Sequence, residues 1–467
     1  MKKIIKKFQN TVVLFLKLIL FGGIFLIFFG LFGIPNWQLW IPNRTSGVTM
    51  LTFGVVGVTM LAAYGRYDIG KRKSKPIIYS IGLATVITDI VTYIELSIMN
   101  TNEARNQTFV FENFGLLLIV MVCQIVFIII MTYFGNYVYF KMNKPERSII
   151  ITASQDSLDQ IYYGVNKFKL QYRIEKILDY RDPDVFKAIE KCDTVFLYDV
   201  PVERRRELVE YCYRLMKNIY FNPEIADIVE INAKHVVLDD VSMICSQVKE
   251  LTLEQRILKR AMDIVISLVG MIITSPIWIA CCAAIKLNDG GKIFFKQKRA
   301  TKNGKVFYVY KFRTMRENVV NHSVTSDDDR ITKVGKILRK FRIDELPQLL
   351  NILKGEMSIV GPRPEMLENV YVYTKDLPEF TYRLRVKAGL TGYAQIAGKY
   401  NTSPRDKLVL DLMYIENYSL WRDIKLIFQT LIVFFKSDST EAFGNKVQAE
   451  FKAYKETMES GKKNEEV

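Results

Sequence analysis

Four apolar stretches, near residues 11 to 32, 46 to 64, 77 to 99 and 114 to 140, are each long enough for a hydrocarbon layer that takes about 20 residues of helix. A spanning segment has to pair every backbone polar group within itself, so these stretches are expected as transmembrane helices. The formal charge of +16 calls for an anionic partner, and with this hydropathy the partner is a lipid bilayer with anionic headgroups and not a nucleic acid.

Basic residues set the orientation. Lys2, Lys3, Lys6 and Lys7 precede the first span, Arg66, Lys71, Arg72, Lys73 and Lys75 lie between spans two and three, and Lys141, Lys144 and Arg147 follow span four. The other two loops hold Arg44 and Arg105. Both ends of the four-helix unit therefore face the cytoplasm, and the first span is not a cleavable signal because further spans follow it. Inside the spans, Lys17 snorkels, whereas Asp89 and Glu95 either pack against neighbouring helices or mark a function.

A fifth apolar stretch, Ala261 to Leu287, contains Ser275-Pro276 and is flanked by positive charge on both sides: Lys259 and Arg260 before it, Lys286, Lys292, Lys296, Lys298 and Arg299 after it. A full crossing conflicts with that charge. A re-entrant helix that turns back at Ser275-Pro276 removes the conflict and keeps everything downstream cytoplasmic; a kinked fifth span is the alternative. Asp263, near the entry, then needs a partner such as a nearby Arg or Lys.

Between these membrane segments the pattern changes. SIIIT (148 to 152), DTVFLYDV (193 to 200) and HVVLDD (235 to 240) read as buried strands, with helices near 155 to 168 and 201 to 217. That is a Rossmann-like α/β module built on a parallel sheet. Thr152, Ala153, Ser154 and Gln155 stand where a dinucleotide site needs glycines, so a structural, oligomeric or regulatory role is favoured. Six cysteines without CxxC spacing and only two histidines, His235 and His322, argue against zinc and a His-based triad. A catalytic metal is then a hard, oxygen-bound cation such as Mg²⁺.

In the stretch from Ile337 to Glu365, Leu346, Leu349, Leu350 and Leu353 recur on one helical face, Pro347 fits a first turn and Gly355 stops the helix. Asp344 and Glu345 fall at or just before its N-terminus, where free N–H groups and the helix dipole favour anions. Arg339, Arg342 and Arg363 surround them in sequence. An acidic N-cap with charged neighbours is the simpler reading of the pair taken alone. Asp327, Asp328 and Asp329 lack a calcium-loop pattern and read as a solvated turn. Gly389 and Gly392 are expected to supply positive φ in a tight turn, and 418 to 436 reads as an interfacial or core helix.

From about Leu258 to the mid-430s the order of motifs resembles the bacterial sugar transferases, the polyprenyl-phosphate hexose-1-phosphate transferases. The motifs are KRAMD (259 to 263), Ser275-Pro276, FFKQKR (294 to 299), YKFRTM (310 to 315), DRITKVGKILRK (329 to 340), IDELPQLLN (343 to 351), KGEMSIVGPRPE (354 to 365), GLTGYAQIAG (389 to 398) and Asp411-x-x-Tyr414. Ala388-Gly389, Ala300-Thr301 and Asp329 depart from the family's usual loop residues. The four upstream spans and the α/β module resemble the family's large subclass. The expected architecture is a mixed membrane protein: a four-helix transmembrane domain (1–145), a cytoplasmic α/β module (146–255), and a mainly α catalytic domain (256–467) anchored by a re-entrant helix (261–287).

The resemblance implies transfer of a hexose 1-phosphate from a UDP-hexose to undecaprenyl phosphate, with release of UMP, at the start of exopolysaccharide, capsule or O-antigen assembly. It casts Asp344 as a nucleophile that becomes a phosphosugar-aspartate, and Glu345 as a group that helps hold Mg²⁺ or handles a proton. Arg339 and Arg363, then Lys311 and Arg313, become phosphate contacts, and Asp411 a supporting or metal-associated acid. The module and spans also offer surface for a homodimer. A non-catalytic membrane scaffold is the alternative reading, and a transporter is disfavoured because internal repeats are lacking.

Overall fold

The computed structural model describes residues 2–65, 67–103, 111–153, 155–231, 233–246, 251–316, 330–398 and 403–433. The acidic run Asp327–Asp329, Arg66, Arg105, residues 434–436 and the C-terminal tail lie outside them. The chain forms two compact units, Met1–Asn222 and Pro223–Ala442.

The first unit begins with four long helices, α1 (Lys2–Phe32), α2 (Arg44–Tyr64), α3 (Ser74–Glu103) and α4 (Phe114–Met142), each apolar enough to cross a bilayer. Their shared interior is aromatic: the rings of Phe25, Phe28, Phe29 and Phe53 lie 4.4–5.7 Å apart. Small residues admit close packing, since a side chain at Gly135 would strike the Tyr67 hydroxyl, which donates to the Met131 carbonyl at 2.6 Å. Asp89 is fully buried and accepts from the Gln124 amide, which also donates to the Ile24 carbonyl. It thus ties α3 and α4 to α1, and Glu95 lies beside Thr49 of α2.

The rest of this unit alternates strand and helix: β1 (Glu146–Thr152), α5 (Gln155–Asn166), β2 (Tyr172–Asp179), α6 (Val185–Lys191), β3 (Thr194–Tyr198), α7 (Val202–Arg214) and β4 (Asn218–Phe221). The sheet is parallel in the order β2-β1-β3-β4. Ile149, Ile151, Val195 and Leu197 pack under α6 and α7, whereas Ile150 and Phe196 face α5, the two-sided burial that continuous apolar strands require.

HVVLDD does not extend this sheet. It lies in β5 (Lys234–Leu238), which pairs antiparallel with β6 (Val241–Cys245) after the short α8 (Ile225–Ile231). Its side chains are mostly exposed, because Asp239 takes φ 56° and turns the chain straight back into a hairpin.

The second unit continues with α9 (Leu253–Asp289), β7 (Phe294–Ala300), β8 (Val306–Phe312), α10 (Lys333–Lys340), α11 (Gln348–Lys354), β9 (Ser358–Val360), α12 (Leu367–Asp376), β10 (Gly389–Thr391), α13 (Tyr393–Ala397), α14 (Pro404–Ile415) and α15 (Leu420–Val433). Here α9 is a fifth helix long and apolar enough to cross a bilayer. The expected break at Ser275-Pro276 is not an interruption, since the helix runs through it. Pro276 has no N–H for the Ile272 carbonyl, and the Ser275 hydroxyl donates to that carbonyl instead at 2.8 Å. Both halves of α9 touch the same body. Ile266 and Met271 pack with Leu349, Ile352 and Leu412, and Cys281 and Ile285 pack with Phe312 and Leu338, while Ile272 and Ile273 between them are about 70% exposed.

Candidate active site

Asp344 and Glu345 sit in a single 3-10 turn, Ile343–Glu345, between α10 and α11. Three local features build it. Thr332 caps α10 by accepting from the Gly335 N–H at 2.9 Å, and Gly335 has no room for a side chain because the Thr314 carbonyl would lie 2.1 Å from it. Arg342 takes φ 54° and reverses the chain. Asn351 of α11 bonds the β8 backbone in both directions, accepting from the Tyr310 N–H at 3.0 Å and donating to the Tyr308 carbonyl at 2.7 Å. With α11 pinned on β8, Lys311 comes level with Glu345.

Glu345 Oε1 accepts from Lys311 Nζ at 2.9 Å and from Arg363 Nη2 at 2.8 Å. Burial pushes its pKa upward, but Arg363 and Lys311 outweigh that and hold it well below the usual carboxylate range. Asp344 is buried as well, and no described residue donates a hydrogen bond to its carboxylate. Burial raises its pKa, against the more distant pull of Lys311. Two neighbouring acids are thus driven apart, one clamped as an anion and the other without a hydrogen-bond donor among the described residues.

Arg363 is held from behind. Its carbonyl accepts from Arg383 Nη2 at 2.9 Å, and the same guanidinium pairs with Asp411 at 2.8 Å. Arg299 donates to the Pro364 carbonyl at 3.2 Å; burial and the nearby Arg363 lower its pKa to about 10. Glu365 takes Lys407 at 3.3 Å. The turn before Arg363 needs glycine for closeness, not for φ. A side chain at Gly389 would lie 2.1 Å from the Gly361 nitrogen, and one at Gly392 would lie 2.1 Å from the Gly361 carbonyl. Neither Gly389 nor Gly392 has positive φ, so the tight-turn expectation for them is corrected: β9 and β10 pair in parallel here, and the two backbones nearly touch.

Residues 254–437 match the bacterial sugar transferase family. A galactosyl transferase of Streptococcus agalactiae is 32% identical over 339 residues, which cover 64% of this chain and 74% of that protein. The chain belongs to the bacterial sugar transferases. A UDP-glucose:undecaprenyl-phosphate glucose-1-phosphate transferase of Escherichia coli is 32% identical over 271 residues, 56% of each chain. A UDP-N-acetylgalactosamine-undecaprenyl-phosphate N-acetylgalactosaminephosphotransferase of Aeromonas hydrophila is 40% identical over 180 residues, 37% of this chain and 43% of that one. The aligned region thus spans less than two thirds of the last two proteins.

In this sugar transferase the fold brings Asp344, Glu345, Lys311 and Arg363 together. Arg339 lies alongside, its Nε donating to Thr314 Oγ1 at 2.9 Å. Arg313 is buried and its guanidinium fills the space a side chain at Gly291 would need. Asp411 is not at the carboxylate pair; it acts on Arg383. Asp263 does not pair with Arg or Lys as expected, but accepts from the Ser358 hydroxyl and the Ile359 N–H at 3.0 and 2.9 Å. Its basic neighbours are used elsewhere: Lys259 binds Asp423, and Arg260 donates to the Ile352 and Leu353 carbonyls at the end of α11. Arg383, Arg299 and Asn351 were not expected as site residues, although Arg299 closes the FFKQKR motif and Asn351 the IDELPQLLN motif.

Among the described residues no three His, Cys, Asp or Glu side chains converge on a metal position. Mg²⁺ does not need them, since it takes one or two carboxylates and completes its shell with water and phosphate oxygens. Asp344 and the Oε2 of Glu345, whose Oε1 carries both cations, fit that donor set.

Proposed function

We propose that the chain transfers a hexose 1-phosphate from a UDP-hexose to undecaprenyl phosphate, with Asp344 as the nucleophile. The observation that carries this is a buried carboxylate to which no described residue donates a hydrogen bond, beside a second one clamped as an anion by Lys311 and Arg363, on a body that carries a membrane helix. An Asp344 oxygen attacks the sugar-bearing phosphorus; the bond from that phosphorus to the bridging oxygen breaks, and UMP leaves with the electron pair. A phosphate oxygen of undecaprenyl phosphate then attacks the same phosphorus, the acyl-phosphate bond breaks, and Asp344 is regenerated as a carboxylate. Splitting one displacement into two is the benefit of covalent catalysis.

Glu345 stays ionised throughout and serves as a charge and not as a proton donor. Asp344 and Glu345 would hold a Mg²⁺ ion, which would neutralise phosphate oxygens when bound. Arg339, Lys311, Arg313 and Arg363 supply the remaining positive field. The packing of both halves of α9 on one body supports entry and exit on the same membrane face, the cytoplasmic face of the inner membrane by the distribution of basic loops.

Purified protein with labelled UDP-hexose, polyprenyl phosphate and Mg²⁺ is expected to give labelled lipid and UMP, and rapid quenching is expected to trap a phosphosugar on Asp344. A screen of UDP-hexoses by UMP release reads the donor, which is chosen by hydrogen bonds to single hydroxyls. Turnover without an adduct at Asp344, or full complementation of a deletion strain by the Asp344→Asn, Glu345→Gln chain, would overturn the proposal in favour of a scaffold.

A further inference from the structure

Two cations approach one point over Gly355. This glycine ends α11 with φ 84°, and a side chain built on it would begin 3.5 Å from Arg260 Nη2 and 3.8 Å from Lys387 Nζ. Arg260 is occupied by the Ile352 and Leu353 carbonyls, and the Asn351 carbonyl accepts from the Glu356 and Met357 N–H groups. With these three carbonyls used, Lys387 Nζ has no hydrogen-bond acceptor among the described residues. Asp263 acts on it through space, its Oδ1 being committed to Ser358 and Ile359. Lys302 adds a third charge nearby. Thr301 beside it accepts from the Ala388 N–H at 3.2 Å and donates to the Glu356 carbonyl at 3.0 Å, which stitches the three basic segments together. Burial and then Arg260 lower the Lys387 pKa, so the charge stands where it is disfavoured unless an anion joins it.

We propose that Arg260 and Lys387 hold the phosphate of an anionic phospholipid, with Lys302 as an outer charge. The site stands at headgroup level. Arg260 directly precedes the apolar stretch 261–287, and Val265, Leu268 and Ile272 in its early turns are 58, 47 and 72% exposed, a surface for acyl chains. A basic pocket at the end of a membrane helix is the usual seat of an anionic headgroup. A zwitterionic headgroup would bring its own ammonium into a cluster of three cations. The occupant is not the reacting lipid, because the seven residues of α11 put at least about 10 Å between this point and the turn that carries Asp344.

The test uses the full chain in phosphatidylcholine nanodiscs with and without phosphatidylglycerol, with native mass spectrometry to count retained lipids and thermal unfolding to follow stability. The wild type is expected to retain one phosphatidylglycerol and to unfold at a higher temperature when that lipid is present. Lys387→Met is expected to weaken phosphatidylglycerol retention about fivefold. In phosphatidylcholine alone the same variant is expected to unfold above the wild type, because its repulsion with Arg260 is gone, and in phosphatidylglycerol below it. A helix-capping or packing role for Lys387 would act with one sign in both lipids. Lys305→Met, exposed in the turn after Lys302, is expected to change neither measurement, and added polyprenyl phosphate is expected to leave the retained lipid in place. No retained lipid, equal retention of phosphatidylcholine, displacement by polyprenyl phosphate, an equal effect of Lys305→Met, or a Lys387→Met effect of one sign in both lipids each overturns the proposal.

Discussion

Asp344 and Glu345 are adjacent in the chain and opposite in electrostatics, which is how two carboxylates come to hold different roles. Glu345 has two cations on one oxygen; Asp344 has burial and no donor among the described residues. Asp344→Asn is expected to lower turnover by at least about a thousandfold while raising the melting temperature, since an amide removes a buried, unpaired charge; a melting temperature that falls would contradict the described environment. The pH dependence follows from the same charges. With Asp344 as the proposed nucleophile the ionised form is the reactive one, so the rate is expected to fall as pH drops through its raised pKa. Lys311 favours the ionised form, so Lys311→Met is expected to move the acidic limb of kcat/KM to higher pH, and an unmoved limb would remove Asp344 from the role. Glu345 contributes to stability in the reverse sense: its pKa is depressed, so its contribution is full above the unfolded value of about 4.3 and is lost as pH falls. At this scale the residue types were legible, because carboxylates among arginines before an apolar face are a local pattern. Their partners were not, since Arg363 is 18 residues from Glu345 and Lys311 is 34 residues away.

The elements were legible where one period dominates. All four N-terminal helices and α9 follow from long apolar runs, and β1 and β3 from β-branched and aromatic ones. β2 escaped because the register slips opposite Ser148 and Ile149, a bulge that breaks its alternation of apolar and charged residues. HVVL was misassigned to the parallel sheet because a buried strand and an exposed hairpin share the same β-branched signal. Two predictions concern single elements. Gly389→Ala places a methyl against the Gly361 backbone and is expected to cost about 3 kcal/mol or more in denaturant unfolding, whereas a turn role tied to φ would not require the neighbour to be glycine. Ser275→Ala is expected to cost about 1 kcal/mol by leaving the Ile272 carbonyl unpaired. The further change Pro276→Ala returns an N–H to that carbonyl and should cancel the loss, so a double mutant no better than the single would refute the account of how α9 passes its proline.

For the whole molecule the central issue is what a helix of 37 residues does in a bilayer. By length and apolarity α9 could cross, yet basic residues flank it on both sides, and both its halves pack on one body. Composition alone did not decide between these, because hydropathy carries no information about where the far end returns; the packing of Cys281 and Ile285 with Phe312 and Leu338 favours the re-entrant reading proposed above. The chemistry depends on the answer, since a nucleotide sugar is met on the cytoplasmic side. Single cysteines on a cysteine-free background, probed in intact cells with an impermeant maleimide, separate the cases. Gln38→Cys between α1 and α2 is expected to react from outside, and Lys71→Cys between α2 and α3 only after the cells are opened. Lys292→Cys, just beyond α9, is expected to behave like Lys71→Cys. If it reacts in intact cells instead, α9 crosses the membrane, Asp344 faces away from the nucleotide pool, and the reaction assigned to it cannot take place where the substrate is.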